Sequence, residues 1–540
     1  MIVKRVIGVL LPSERVKGVK MIAGVVLSSL LDFVSVAMLV PILYLMLDGG
    51  YQEAALISFC AVALGVILVK AFVSTYIVRS QQRFLLGVYK RMSFSLLDAY
   101  FRRGLLFIRE NGVSKLSYEV NFVCYSFGQN ILLSLLNIAG DVMLSGMILL
   151  ALLVYNWKIA LLLLLSFIPL VILYLLAIRK QLVLSGRQEL QARRRQGRIV
   201  SETFAGYAEL QVNDAYTAKK KEFCEGMDVI AGSRMKMETL SKLPMMLSEL
   251  AIIIGLVAIV LFGQTQIEAL VGVFVVAAMR LLPSIRSIIV NWGHIQNAQS
   301  GLQVIEEGLT GDNESSCSEE IEFKSELALN DLSYSFEDNN PLIDRLNLSI
   351  SKGEYVGLSG YSGIGKTTLF NLMLGFISPK SGEITVDGIP LTKTNSQAWL
   401  KKVGYVQQDV YIFNASLAEN IALGADVLDR DKVVSVLKKV ALWDWAQALP
   451  DGIDTVLGEF GGMVSGGQKQ RIGIARALYK DAEIIFLDEA TSALDDDTEK
   501  SIHDMLLEMR KGIKDLTIIS IAHRKSSLKY CDRIIMMDEK

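Results

Sequence analysis

Gly360 and Gly365, five positions apart, lead directly into Lys366 and Thr367 in the run GYSGIGKTTLF, a spacing whose chemistry is phosphate binding. Glycines let consecutive backbone N–H groups converge on phosphate oxygens, and the dipole of the helix that follows adds to their field. The lysine reaches the outer phosphates, and the threonine offers its hydroxyl to Mg2+. The flanks supply the required context, because EYVGLSG before the loop reads as a buried strand and LFNLMLGF behind it as a helix. A second apolar strand, EIIFLDEA, ends in Asp488 and Glu489. An acid at the carboxyl end of a strand beside the loop is placed to hold Mg2+, and the next acid to orient or deprotonate an attacking water. Between the two strands, VSGGQKQRIGIARAL opens an amphipathic helix with Ser465, Gly466 and Gly467. Its glycine-exposed amides make a second anion cap, although a serine N-cap alone also explains the sequence.

The elements that carry these residues occupy only the second part of the chain. Of 540 residues, 52% are hydrophobic, and the formal charge of −1 gives no basic field for nucleic acid. Up to about residue 305, apolar runs alternate with basic stretches, and beyond about residue 320 the composition is that of a soluble α/β domain. The runs fall at about 21–47, 55–78, 130–154, 159–178, 245–263 and 267–290, each near or above the roughly 20 residues that cross hydrocarbon. Six spans are expected. The first is read as retained, because no small-residue cleavage site precedes it. Basic residues precede the first run (Lys4 to Lys20) and follow the second (Arg79 to Arg109) and the fourth (Arg179 to Lys221), whereas DGGYQE, YNWK and GQTQIE carry only Lys158. The positive-inside rule then places both termini in the cytoplasm. The basic connections, roughly 79–130 and 179–244, read as helices prolonged beyond the membrane, with contact tips at 109–120 and 201–216.

Polar residues within the runs stand out. Asp32 and Asp141 are expected to make helix-to-helix contacts. Arg280, Ser284, Ser287, Asn291 and His294 recur at helical spacing and form one polar stripe, either lining a wet cavity that accepts an anionic group or bonding to neighbouring helices. Five scattered cysteines read as reduced bystanders, and three dispersed histidines make no metal site.

GYSGIGKTT, VSGGQKQR, IIFLDEATSALD and the lone histidine of IISIAHR, in this order and spacing, resemble the nucleotide-binding domain of ABC transporters. With six preceding spans the chain resembles the exporter type with fused domains. The fold class this implies is multidomain: an all-α six-helix transmembrane domain (1–308), a linker (309–324) and an α/β P-loop nucleotide-binding domain (325–540). The resemblance implies ATP and Mg2+ as cofactors, held by Phe336, Gly360, Ser362, Gly363, Gly365, Lys366, Thr367 and Thr368, with Thr367, Gln408 and Asp488 on the metal. It further implies that Ser465, Gly466, Gly467 and Gln468 close on ATP held by a partner subunit, and that Asp495 lies at the dimer seam. Glu489 would be the catalytic carboxylate, with Lys366, Gln408 and His523 assisting, and Tyr334 is the alternative to Phe336 as adenine platform. The chain ends at IIMMDEK, short of the final strand and helices usual in the family, so a truncated or short tail is expected.

One complete set of motifs makes a homodimer the economical assembly, with membrane lipids around it. VVAAMRLLPSIRSIIVNW and LLDFVSVAMLVPIL resemble the membrane domain of flippases for lipid-linked oligosaccharides, which implies an amphiphilic or lipid-linked cargo met by Arg280. The alternatives are a general lipid or multidrug exporter and a nucleotide-gated regulatory membrane protein. The fused architecture points to a bacterial inner membrane.

Overall fold

The computed structural model describes residues 2–38, 53–155, 157–262, 267–310, 320–336, 341–458, 462, 464–489, 496–512, 515–521 and 528–537. The chain divides into two compact units, Met1–Gly311 and Asp312–Lys540.

Among its described residues the first unit consists of helices joined by short turns. Its long members are α1 (Pro12–Ala37), α2 (Glu53–Arg102), α3 (Leu133–Tyr155), α4 (Trp157–Ala205), α5 (Tyr216–Phe262) and α6 (Ile267–Asn297). Every expected apolar run falls on helix wherever it is described, apart from Met38 in the turn after α1. Among the described residues, Pro12–Ser35, Ile57–Arg102 and Val113–Tyr155 are long and apolar enough to cross a membrane. At 1.5 Å per residue, the 50 residues of α2 extend about 75 Å, more than twice the hydrocarbon thickness, so the basic continuations stand beyond the apolar runs as helix.

In hydrocarbon, small residues and interhelical hydrogen bonds replace the hydrophobic effect as the means of helix association. Gly140 shows the first device, since a Cβ there would lie 2.5 Å from Val25 Cγ1, and Ser29 Oγ on α1 donates to the Gly140 carbonyl at 3.0 Å. Two separate sets of polar contacts, one between α1 and α2 and one between α3 and α6, show the second. Lys70 on α2 pairs with Asp32 on α1, and Asp141 on α3 accepts from Ser284 and Ser287 on α6. Asn291 then donates to Ser287 Oγ at 3.0 Å and accepts from Asn137 at 3.4 Å. The middle of the polar stripe therefore bonds to neighbouring helices, with Ser284 buried, while Arg280 is exposed on this chain. Asp32 and Asp141 make the interhelical contacts expected of them.

Beyond the apolar runs, a buried carboxylate ties α2 to α4. Glu119 accepts from Arg194 at 2.6 Å and from the Tyr100 hydroxyl at 2.5 Å. It begins a π-helical segment, Glu119–Val123, directly after the short helix Val113–Tyr118 at the first tip.

The second unit is built on two sheets. An antiparallel sheet has the order β2-β1-β4-β5, from β1 (Glu326–Tyr334), β2 (Ile343–Ser351), β4 (Ser381–Val386) and β5 (Ile389–Pro390). The other has the order β6-β7-β8-β3-β9 and is parallel at every junction, from β3 (Tyr355–Gly360), β6 (Val403–Val406), β7 (Ile484–Asp488), β8 (Thr517–Ile521) and β9 (Arg533–Met537). All five residues of β7 and of β8 are buried, as a strand covered on both faces requires. His503, from the helix Asp496–Gly512, is locked in this core against Tyr355, whose hydroxyl lies 3.2 Å from Nδ1, and is stacked on Tyr530 at 4.6 Å. Burial holds its imidazole below the ordinary 6.5, against the opposing pull of Glu499 and Asp504.

Two outcomes follow. Arg194→Ala strands the Glu119 carboxylate and should cost the helical unit about 3 kcal/mol, read by chemical denaturation in detergent, whereas Arg194→Ala with Glu119→Gln should recover part of that loss. Because unfolded His503 binds a proton more readily than folded His503, stability should fall as pH drops below about 6.5 and level off below the depressed folded value. Melting of the second unit followed from pH 8 to 5 should show this slope, and His503→Gln should flatten it.

Candidate functional site

In a parallel sheet all carboxyl ends share one edge, so loops distant in sequence meet there. Register makes this concrete: Val406 lies opposite Leu487, Asp488 opposite Ile521, and Ile521 opposite Leu358. The phosphate loop after β3, the acids after β7 and Gln408 after β6 are consequently set along a single edge.

The loop has the backbone its glycines allow. Gly363 and Gly365 have φ of 88° and 104°, a region costly for residues with a Cβ. At Gly360 a Cβ would lie 2.6 Å from the Met537 carbonyl oxygen, so β9 packs against the loop's start too closely for any side chain. Ser362 and Gly363 stand exposed on the turn, and Thr368 is half-buried in the first turn of the helix behind it, α7 (Lys366–Met373). Phe370 meets Phe486 edge-on at 5.1 Å and fixes α7 to β7.

Lys366 is buried and donates to the carbonyls of Gly360 at 2.8 Å and Tyr361 at 3.0 Å. Burial lowers its ammonium below the usual lysine range, and the nearby Glu489 and Asp488 oppose that shift. Thr367 Oγ1 donates to Asp488 Oδ1 at 3.3 Å, so hydroxyl and carboxylate sit together as the loop spacing requires. The carboxyl of Asp488 is raised above the ordinary aspartate value, chiefly by burial. A hydroxyl and a carboxylate, with phosphate oxygens to complete the shell, form a hard all-oxygen donor set of the kind Mg2+ takes. Glu489 is half-buried with φ of 49°, left-handed for a residue with a Cβ, and so the carboxylate just past β7 is held by a strained backbone.

Gln408 is exposed just past the end of β6. The loop beyond it is held by a residue the motifs did not single out. Arg476 donates to the carbonyls of Asn420 and Tyr411, both at 2.7 Å, and to Asn420 Oδ1 at 2.9 Å; burial brings its guanidinium down to about 10. Tyr405 was also missed, and its hydroxyl donates to Asp488 Oδ2 at 3.2 Å. A tyrosine in an otherwise apolar strand, three residues before Gln408, was the available signal.

The second glycine pair opens α8 (Gly466–Tyr479). Ser465 caps it, accepting from the Gln468 amide at 3.3 Å, while the Gln468 side chain accepts from the Ser465 amide at 2.8 Å. This capping box satisfies both residues locally and leaves the first-turn amides of Gly466 and Gly467 outside the box. α8 also lies close on β6, since a Cβ at Gly404 would fall 2.3 Å from that of Ala477. Of the two candidate adenine platforms, Tyr334 is 6% exposed, whereas Phe336 is 63% exposed and braced edge-on by Tyr334 at 5.2 Å. Asp495 and His523 lie outside the described residues.

Residues 343–492 match the ABC transporter family. The C-terminal unit is an ABC transporter domain, an ATP-binding unit in which Mg2+ is the usual partner of the nucleotide. The whole chain has the fold of an ABC exporter, superposing on a bacterial Atm1-family ABC exporter with ATP bound at a TM-score of 0.82 and 22% identity, over 98% of this chain and 93% of that one. It is an integral membrane protein. The ATP-dependent lipid A-core flippase of Burkholderia pseudomallei (strain 1710b) is 33% identical over 358 residues, 63% of this chain and 58% of the relative. That of Paraburkholderia xenovorans (strain LB400) is 43% identical over 200 residues, 37% of this chain and 33% of the relative. This chain thus spans little more than half the length of the first of these relatives, and a third of the second.

If Phe336 is the stacking surface, Phe336→Ser should weaken binding of a fluorescent ATP analogue about tenfold, and Phe336→Tyr should restore it. Equal weakening by both variants would mark the ring as packing only.

Proposed function

We propose that this chain is one half of an ATP-driven flippase for an amphiphilic lipid, working as a homodimer with six spans per copy and both termini in the cytoplasm of a bacterial inner membrane. Residues 1–308 act as its membrane domain and 325–540 as its nucleotide domain, joined by 309–324. The observation that carries the reading is the gathering of Lys366, Thr367, Asp488 and Glu489 at one sheet edge, in a chain whose other unit has membrane-length apolar helices.

Gly360, Ser362, Gly363, Gly365, Lys366, Thr367 and Thr368 cradle the phosphates, and Phe336 stacks on the adenine. Thr367, Asp488 and Gln408 hold Mg2+, which supplies charge neutralisation on the phosphate oxygens. Glu489 orients the attacking water and takes its proton; His523 contacts the terminal phosphate, and Asp495 lies at the seam between copies. Ser465, Gly466, Gly467 and Gln468 face the nucleotide held by the partner subunit, where the amides of Gly466 and Gly467 meet anionic oxygen. Charge on the nucleotide draws the two half-sites together, and hydrolysis removes that attraction. The tips at 109–120 and 201–216 pass the movement to the spans.

A lipid cargo is supported by the relatives' activity as lipid A-core flippases. A lipid-linked oligosaccharide is the narrower reading, with Arg280 as the group that meets a pyrophosphate headgroup. General lipid or multidrug export is the alternative.

In lipid nanodiscs the native chain should turn over ATP, while Glu489→Gln should be nearly silent and retain bound ATP. Turnover unchanged in Glu489→Gln would defeat the assignment of that carboxylate. Polyprenyl-pyrophosphate glycans and lipid A should be compared as stimulants, and whichever stimulates should lose at least about threefold of its effect in Arg280→Ala. Undiminished stimulation would remove Arg280 from the cargo path.

A further inference from the structure

The Asp488 carboxylate is gripped from two sides, and only one grip belongs to the phosphate-loop pattern. Thr367 on α7 donates to Oδ1 at 3.3 Å, and Tyr405 on β6 donates to Oδ2 at 3.2 Å. Strand register explains how Tyr405 comes to be there. It pairs with Phe486 across the parallel β6–β7 junction, and Phe486 and Asp488, two residues apart, share one face of the sheet. The tyrosine ring therefore lies on the Asp488 face and reaches along it to the strand's end. Phe376 braces it, with ring centroids 6.2 Å apart at 60°. Asp488 is 6% exposed, so solvent cannot take the place of either donor in orienting the carboxylate.

We propose that Tyr405 is a positioning residue for the Mg2+ site, its hydroxyl holding Oδ2 of Asp488 so that Oδ1 is presented on the Thr367 side. This rests on the reading of the edge as a Mg2+-nucleotide site. A carboxylate that binds a metal through one oxygen is commonly fixed by a hydrogen bond to the other, and losing such an outer partner typically costs about 10- to 100-fold in metal affinity. Tyr405 also stands three residues before Gln408 on the same chain segment, so one short strand both orients the aspartate and delivers the glutamine to the same edge.

Tyr405→Phe keeps the ring and its packing and removes only the O–H. Binding of a fluorescent ATP analogue to the full chain in nanodiscs is measured first in EDTA and then against rising Mg2+. Affinity in EDTA should stay within about twofold of native, while the Mg2+ needed for half-maximal enhancement of binding should rise about tenfold. ATPase assays should show the same split, with half-saturation by Mg2+ moving more than kcat. Unchanged Mg2+ dependence would overturn the proposal, as would an equal loss of affinity in EDTA, which would assign Tyr405 to packing. Failure of the native chain to bind the analogue under both conditions would instead overturn the nucleotide reading, and this inference with it.

Discussion

Charged groups withdrawn from water govern the C-terminal unit. Lys366 and Asp488 are both buried at the end of a parallel sheet, where an isolated charge is costly unless other groups compensate it. The compensation is local and directional: loop carbonyls for the ammonium, two hydroxyls for the carboxylate. That requirement fixes the elements around it. β3 must deliver the loop, β7 the acid, and β6 both the tyrosine and the glutamine, with their carboxyl ends level. Packing then holds the arrangement, through Phe370 against Phe486 and through the close approach of α8 to β6 that Gly404 permits.

The membrane unit meets a similar constraint with different means. In hydrocarbon a lone lysine or aspartate is expensive, and the chain answers by pairing Lys70 with Asp32 and by supplying Asp141 with two serine hydroxyls. Ser28 and Ser74, 3.2 Å apart between the same two helices as the Lys70–Asp32 pair, add a neutral contact beside it. Beyond the apolar runs, where water is available at the surface, Glu119 is still buried and still paired, so its tie to Arg194 and Tyr100 fixes the helices next to the first tip.

Much of the nucleotide site was legible because its spacing is backbone geometry: a loop, a strand end and a helix start, each with the residue types its φ values or caps demand. Gly363 and Gly365 take positive φ, Thr367 bonds to Asp488, and Ser465 caps α8. What stayed hidden depends on tertiary register. Tyr405 reaches Asp488 only because Tyr405 pairs with Phe486, a fact absent from either segment alone. Helical periodicity found the stripe on α6 but not what it faces, since Asp141 and Asn137 are contributed from more than 140 residues away. Lys70 escaped notice for the same reason, its partner lying on the preceding span.

The length of α2 has a mechanical meaning. About 45 Å of this helix remains once the hydrocarbon has taken its roughly 30 Å. Pivoted at the membrane surface as a stiff rod, it would be a lever: a tilt of about 7° sweeps its far end by about 5.5 Å, close to the rise of one helical turn. Rotations too small to unpack the helices within the bilayer are magnified at the distal end, and a displacement imposed there is geared down by the same ratio on its way in.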